Sequence, residues 1–157
     1  MKKINLKNYT TSVPEERSIM EIEQLLAKFG ASAILKDYSG DGTVKAISFK
    51  ISTEHGEMPF KLPMKEREIV QYRVDEVEGE KAKENRKKDY KTARQIGWRI
   101  IKDWLHSQLS LVQLNMVKVQ EVLLPYVYNY STSKTFYETI EENKFKGMLL
   151  EEIKKGE

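Results

Sequence analysis

The chain has 157 residues, 39% of them hydrophobic and 32% charged, with a net charge of +3. That is one ordinary domain with material for a core, and a net charge too small to announce a nucleic-acid partner unless the cations cluster locally. Cysteine is absent, which excludes a disulfide framework, a thiol nucleophile and a zinc–thiolate site, and fits a reducing compartment. No apolar run of about 18 residues is present, so no membrane span is expected. The opening MKKINLKNYTTSVPEE has no apolar stretch behind its lysines, so it is not read as a secretory signal. A cytoplasmic location is expected.

Residues 1–17 show no sustained period and are predicted to form an extended lead-in. Ser18 and Glu21 fit a capping box. Ile22, Leu25, Leu26 and Phe29 follow at helical spacing, and Gly30 supplies a stop. SAILKDY and TVKAISFKI then read as strands joined by a hairpin turn at SGDG. In the second strand Ile47, Phe49 and Ile51 share one face. After the turn at HGE, MPFKL places Met58, Phe60 and Leu62 on one face, and Pro59 marks this third strand as an edge.

REIVQYRV fits either a helix or a short strand, and residues 75–85 read as a charged loop around Gly79. From Glu84 to Leu114 the pattern is helical, with Ala93, Ile96, Gly97, Ile100, Trp104 and Leu111 on the predicted buried face. Asn115, tolerant of left-handed backbone, interrupts it. A second helix runs from Val117 to Leu124, ahead of Pro125. PYVYNYSTS is a tyrosine-rich loop, and its LLPY approach should pack on the sheet or the first helix. Ser133 can cap a last short helix with Phe136, Tyr137 and Ile140 as apolar contacts, and 151–157 reads as a frayed tail. Together these predict a single α+β domain over 1–157. A helix lies on a three-stranded antiparallel meander, followed by a long helix and shorter C-terminal helices.

Motifs for chemistry are sparse. The two histidines, His55 and His106, stand far apart with no ligand spacing around them, so no metal site is predicted. DYSGDG resembles a calcium loop only faintly, since Ser48 stands where the twelfth-position acid belongs, and a hairpin is preferred. There is no phosphate-binding glycine motif and no nucleophile elbow. Asp103 is read as the partner of an arginine or the cap of a neighbouring element rather than a general acid or base. No cofactor and no catalytic residue are predicted.

One pattern does carry a functional expectation. Lys87, Lys91, Arg94, Trp98 and Lys102 follow helical steps of four, three, four and four, and Arg86, Lys88 and Arg99 widen the positive zone. Cations along one face neutralise phosphates, and an exposed indole stacks on an unpaired base. The predicted nucleic-acid footprint, for DNA or RNA, is Arg86, Lys87, Lys88, Lys91, Arg94, Trp98 and Lys102. The competing reading is a solvated outer face with Trp98 turned inward. Helix, three antiparallel strands, helix is also the order in double-stranded RNA-binding domains, an analogy of topology only. The alternative function is a protein-binding modulator of a host or defence factor, or an oligomeric scaffold. It would use a tyrosine-rich surface of Tyr126, Tyr128, Tyr130, Phe136 and Tyr137, because tyrosine is enriched at interfaces. An enzyme or small-ligand binder with a site not legible in the sequence is the third reading.

YTTSVPEERSIMEIEQLLAKFGASAIL, ISFKI with GEMPFKLP, WRIIKDWL, EVLLPYV and KTFYETIEENKF give the chain a further signature. Along nearly its whole length it resembles a family of small proteins of unassigned function carried by bacteriophages, prophages and other bacterial mobile elements. The resemblance implies a bacterial cytoplasm during infection or lysogeny; the partners expected from the residue patterns are DNA or RNA, or a host or phage protein. It implies no activity. VDEVEGEKAKENRKK is where members are expected to differ in length.

Overall fold

The computed structural model describes residues 3–155. Its first helix, α1 (Glu15–Lys28), begins a turn earlier than a cap at Ser18 predicts. Pro14 stands before it with φ −57°, already suited to helical entry, and Glu15 and Glu16 face the positive end of the helix dipole. Ser18 is therefore inside the helix, buried, and its hydroxyl has no hydrogen-bond partner among the described residues. Ile19, Ile22 and Leu26 form the buried stripe. Gly30, at φ 82°, lets the chain turn away into the sheet.

Three strands follow, β1 (Ala31–Tyr38), β2 (Val44–Thr53) and β3 (Gly56–Pro63), antiparallel in the order β1-β2-β3. At the first turn the Ser39 N–H donates to the Thr43 carbonyl at 2.8 Å. The Asp41 carboxylate accepts from the Ser39 hydroxyl and from the Thr43 hydroxyl and amide. Those bonds hold its pKa well below the usual carboxylate range, so Asp41 serves the turn. Ile47, Phe49 and Ile51 face the core with Phe60 and Leu62, and the Phe49 and Phe60 rings stack at 5.4 Å. β3 lies at an edge, as Pro59 predicts; among the described residues its outer side gains one bridge, from Phe60 to Val127.

REIVQYRV resolves as a helix, α2 (Glu66–Asp75). Most of the expected charged loop is also helical, as α3 (Glu80–Lys88). Glu80 in its first turn and Arg86, Lys87 and Lys88 in its last match the helix dipole, which explains a helix with no buried residue. The loop shrinks to 76–79. The long helix is not continuous from Glu84, because Asp89 leaves helical geometry (φ −92°, ψ 67°). Its carboxylate caps α4 (Tyr90–Gln113) by accepting the Thr92 N–H at 3.1 Å. Asn115, at φ 58°, stands past the end of α4 as expected.

α4 is covered on two sides, by α1 and by α2. Ala93 packs with Val70 and Val74. A Cβ at position 97 would lie 2.6 Å from Ile69 Cδ1 and 2.8 Å from Met64 Sδ, so Gly97 is what lets α2 approach. The main core joins α1, the inner sheet face, α4 and Leu123. Each fully buried aliphatic or aromatic side chain in it contributes about 1.5–3 kcal/mol.

The predicted helix 117–124 is instead a short α5 (Val119–Val122) and a tight turn over Leu124–Tyr126 containing Pro125. A two-stranded ribbon, β4 (Tyr128–Asn129) with β5 (Lys134–Thr135), leads to α6 (Phe136–Glu142). Thr135, not Ser133, is the cap: its hydroxyl accepts the Glu138 N–H, and the Glu138 carboxylate accepts the Thr135 N–H. Ser133 sits at φ 57°, inside the turn. Leu150–Lys155 form a last helix, α7, over part of the expected frayed tail; residues 156–157 of that tail lie outside the described residues. The lead-in is tied down, with Asn8 donating to Asp103 at 2.9 Å and Arg86 to the Tyr9 hydroxyl at 2.6 Å.

Candidate interaction surfaces

The basic face of the long helix is not an open stripe. Trp98 is fully buried and packs in the main core, whereas Trp104, expected inside, is half-buried against the Tyr126 ring at 5.5 Å. The exchange has a simple cause. The side of α4 that carries Arg94, Trp98 and Lys102 faces α1, and α1 brings carboxylates to meet it. Arg94 Nε donates to Glu15 at 3.0 Å, with Glu66 3.5 Å from the other end of the guanidinium. Arg99 reaches Glu21 at 2.6 Å and Lys102 lies 3.6 Å from the same carboxylate. The Arg94 and Lys102 side chains keep only 14% and 16% of their exposure.

These pairs set the local electrostatics. Burial works against the charge on Glu21, but the Arg99 hydrogen bond and charge outweigh it and hold its pKa below the ordinary value. Burial likewise opposes the charge on Arg94, and Glu15 and Glu66 outweigh it in raising the pKa. Asp103 is a structural acid, but its partners are Asn8, Lys102 and Lys7 rather than an arginine. Burial is overcome by hydrogen bonds from Asn8 and Lys102, and its pKa is lowered.

The rest of the predicted footprint divides. Arg86 is half-buried, spanning Tyr9 and the Arg73 carbonyl at 3.0 Å. Lys87 pairs with Glu84 at 3.0 Å. Lys88 and Lys91 are exposed and make no ion pair among the described residues. The seven residues therefore form no continuous cationic face, and Trp98 offers no stacking surface.

The tyrosine surface also divides, in the other direction. Tyr126 is half-buried on Trp104, and Tyr128 is half-buried under Lys61, whose ammonium lies 4.8 Å above its ring. Lys61 is held by Asp37 at 3.0 Å; burial would lower its pKa, but Asp37 and the neighbouring charges raise it. Tyr130 stands edge-on to Tyr128 at 5.0 Å and is 58% exposed. Phe136 and Tyr137 are 39% and 47% exposed. Tyr137 touches Phe145 at 6.0 Å, and the Met148 N–H returns to the Phe145 carbonyl, which links α6 to the following segment. There Met148, Leu149, Leu150 and Ile153 are all exposed. Sequence reading missed these four. MLLEEIKK does carry the signal, apolar residues at helical spacing, but a terminal position made fraying the simpler reading.

Among the described residues no group of three His, Cys, Asp or Glu side chains is placed to hold a metal ion. His55 and His106 are both exposed, on a turn and on α4. No helix among the described residues is long and apolar enough to cross a membrane. Comparison with models of known protein families, with characterised proteins and with solved structures returns no match.

Proposed function

We propose that this chain is a non-catalytic protein-binding module. Its contact surface is the patch of Tyr130, Phe136 and Tyr137 with Met148, Leu149, Leu150 and Ile153. One observation carries the reading. Among the described residues, seven of the fifteen exposed large hydrophobic side chains fall between 130 and 153. Singly exposed apolar residues need no explanation; their concentration in one segment, joined by the Tyr137–Phe145 contact and the Met148–Phe145 hydrogen bond, favours a surface that a partner covers. Rigid aromatics bordered by mixed charge are the composition of a protein interface. The setting we infer from the sequence resemblance is a bacterial cytoplasm, with a host or phage protein as partner.

The test is comparative capture from bacterial lysate at low and high salt. The patch reading expects a protein retained by the wild-type chain at high salt, retained by Lys88→Glu/Lys91→Glu, and lost with Tyr137→Asp/Ile153→Asp. Retention that ignores the patch variant would contradict it. A second reading, an accessory protein contacting DNA or RNA phosphates, is favoured by Lys88 and Lys91 remaining exposed beside Lys87 at the α3–α4 junction.

A further inference from the structure

The sheet has one strand with nothing paired on its outer side among the described residues, β1. A strand edge is a row of unmet donors and acceptors, normally blunted by free charge, proline or a bulge. Here the edge is blunted only at its ends. Its pairing with β2 shifts register between Ala31 and Ala33 and again between Asp37 and Tyr38, leaving Ala33–Asp37 regular. Leu35 is the middle residue of that regular stretch. It is 59% exposed on the outer sheet face, opposite the face that Ile34 directs into the core. The one cation in the stretch, Lys36, is turned to Glu23 on α1 at 3.0 Å, and Asp37 is neutralised by Lys61.

We infer that β1 is a self-pairing edge: two copies of the chain join antiparallel through Ala33–Asp37, on a twofold axis at Leu35, to make one six-stranded sheet. The alternation fixes the register. Because the Met64 N–H pairs with the Lys45 carbonyl, odd-numbered residues of β2 turn to β3, and Ala46, Ser48 and Lys50 turn to β1. Their partners Asp37, Leu35 and Ala33 therefore turn their amides to β2, while Ile34 and Lys36 turn theirs outward. An axis at Leu35 sets Ile34 against the second copy's Lys36, and Ala33 against its Asp37. All outward amides of the regular stretch are then met, and no charge faces its like. An axis at Lys36 would set two ammonium groups directly opposite each other, which is unfavourable. The two Leu35 side chains meet at the axis as a close, non-hydrogen-bonded pair. The irregularities at both ends limit pairing to five residues. Among the described residues β1 is the one edge of this sheet with neither a bridge nor a proline, β3 having Pro59 and the bridge to Val127, so the contact closes as a dimer. The exposed Met20 and Tyr38 border the same edge of the molecule, beside a groove of about 390 Å³ between α1 and the hairpin.

Two measurements on the full chain test this. Sedimentation of the wild type is expected to show monomer and dimer exchanging with concentration. Leu35→Lys is expected to weaken self-association by roughly tenfold or more, by setting like charges on the axis and removing the leucine contact. Its thermal melt should stay close to wild type, because the side chain is exposed. In a chain without cysteine, Leu35→Cys is expected to oxidise to a cross-linked dimer, since a non-hydrogen-bonded pair has Cα atoms about 4.5 Å apart, within disulfide range. Lys50→Cys, on the same sheet face but away from the axis, should cross-link far more slowly. The inference is overturned by a wild type that sediments as a monomer at all concentrations. It is overturned equally by a dimer indifferent to Leu35→Lys, or by equal cross-linking of the two cysteine variants. Tyr137→Asp/Ile153→Asp should leave the dimer intact, which separates this contact from the C-terminal patch.

Discussion

In the seam between α1 and α4, three cations that sequence periodicity would put in solvent meet carboxylates, above a closed apolar core. Arg94 has Glu15 and Glu66, and Arg99 and Lys102 share Glu21. The segment from 130 to 153 is the reverse. Seven of its aromatic and aliphatic side chains stay in solvent, with only Ile140 and Phe145 half-buried, and every residue from 146 to 154 is exposed. The first region spends its charge inside the fold; the second leaves its apolar surface unspent. A helix face rich in Lys and Arg is therefore a poor guide to a partner until the neighbouring helix is known, whereas uncovered apolar area is a direct one.

The contrast can be broken or sharpened by substitution. Trp98→Ala should cost about 3–5 kcal/mol in denaturant unfolding, as a large core truncation does. Trp104→Ala should cost clearly less, and Tyr137→Ala under about 1 kcal/mol, the range of surface changes. Equal losses at Trp98 and Tyr137 would erase the distinction between the regions. Glu21→Gln should cost about 1–3 kcal/mol, because it leaves Arg99 and Lys102 without their shared carboxylate in a half-buried seam. Lys88→Glu should change stability by no more than about 0.5 kcal/mol.

Acid should act on the seam in the same sense. Glu21 and Asp103 have folded pKa values below their ordinary 4.5 and 3.8. Their contribution is complete above those ordinary values and is lost as pH falls through the lower folded ones. Melting temperature should therefore drop as pH passes below about 4.5, and Glu21→Gln should flatten that drop. The smallest effect belongs to Ser18→Ala. A lost N-cap would cost about 1 kcal/mol. A buried hydroxyl with no partner predicts little change, or a slight gain.

What was legible in the sequence was local. The stripe of α1, the hairpin at 39–43, the edge character of the strand with Pro59 and the interruption at Asn115 follow from residues within a few positions of one another, and the α+β order follows from them. What was not legible depended on partners distant in sequence. Trp98 and Trp104 lie six residues apart on one helix, and only the docking of α1 decides which is enclosed. Pro14, with its fixed φ, starts α1 ahead of Ser18 without any side-chain cap, and Thr135 caps α6 because Ser133, at φ 57°, lies inside the turn. The helical state of α3 rests on charge order along its axis rather than on an apolar stripe. Of the two candidate surfaces, the tyrosine run was visible as composition, but its extension through Met148 to Ile153 needed the fold.

The most direct measurement is fluorescence polarisation of the purified chain with labelled single-stranded DNA, single-stranded RNA and duplex, at low and moderate salt, with Lys88→Glu/Lys91→Glu as control. If Arg94, Arg99 and Lys102 are committed to the carboxylates of α1, and the exposed Lys88 and Lys91 are too few to hold a phosphate backbone, no probe should bind saturably even at low salt. Saturable binding that weakens with salt and vanishes in the control would contradict that account and return the basic helix to the surface of the protein's function.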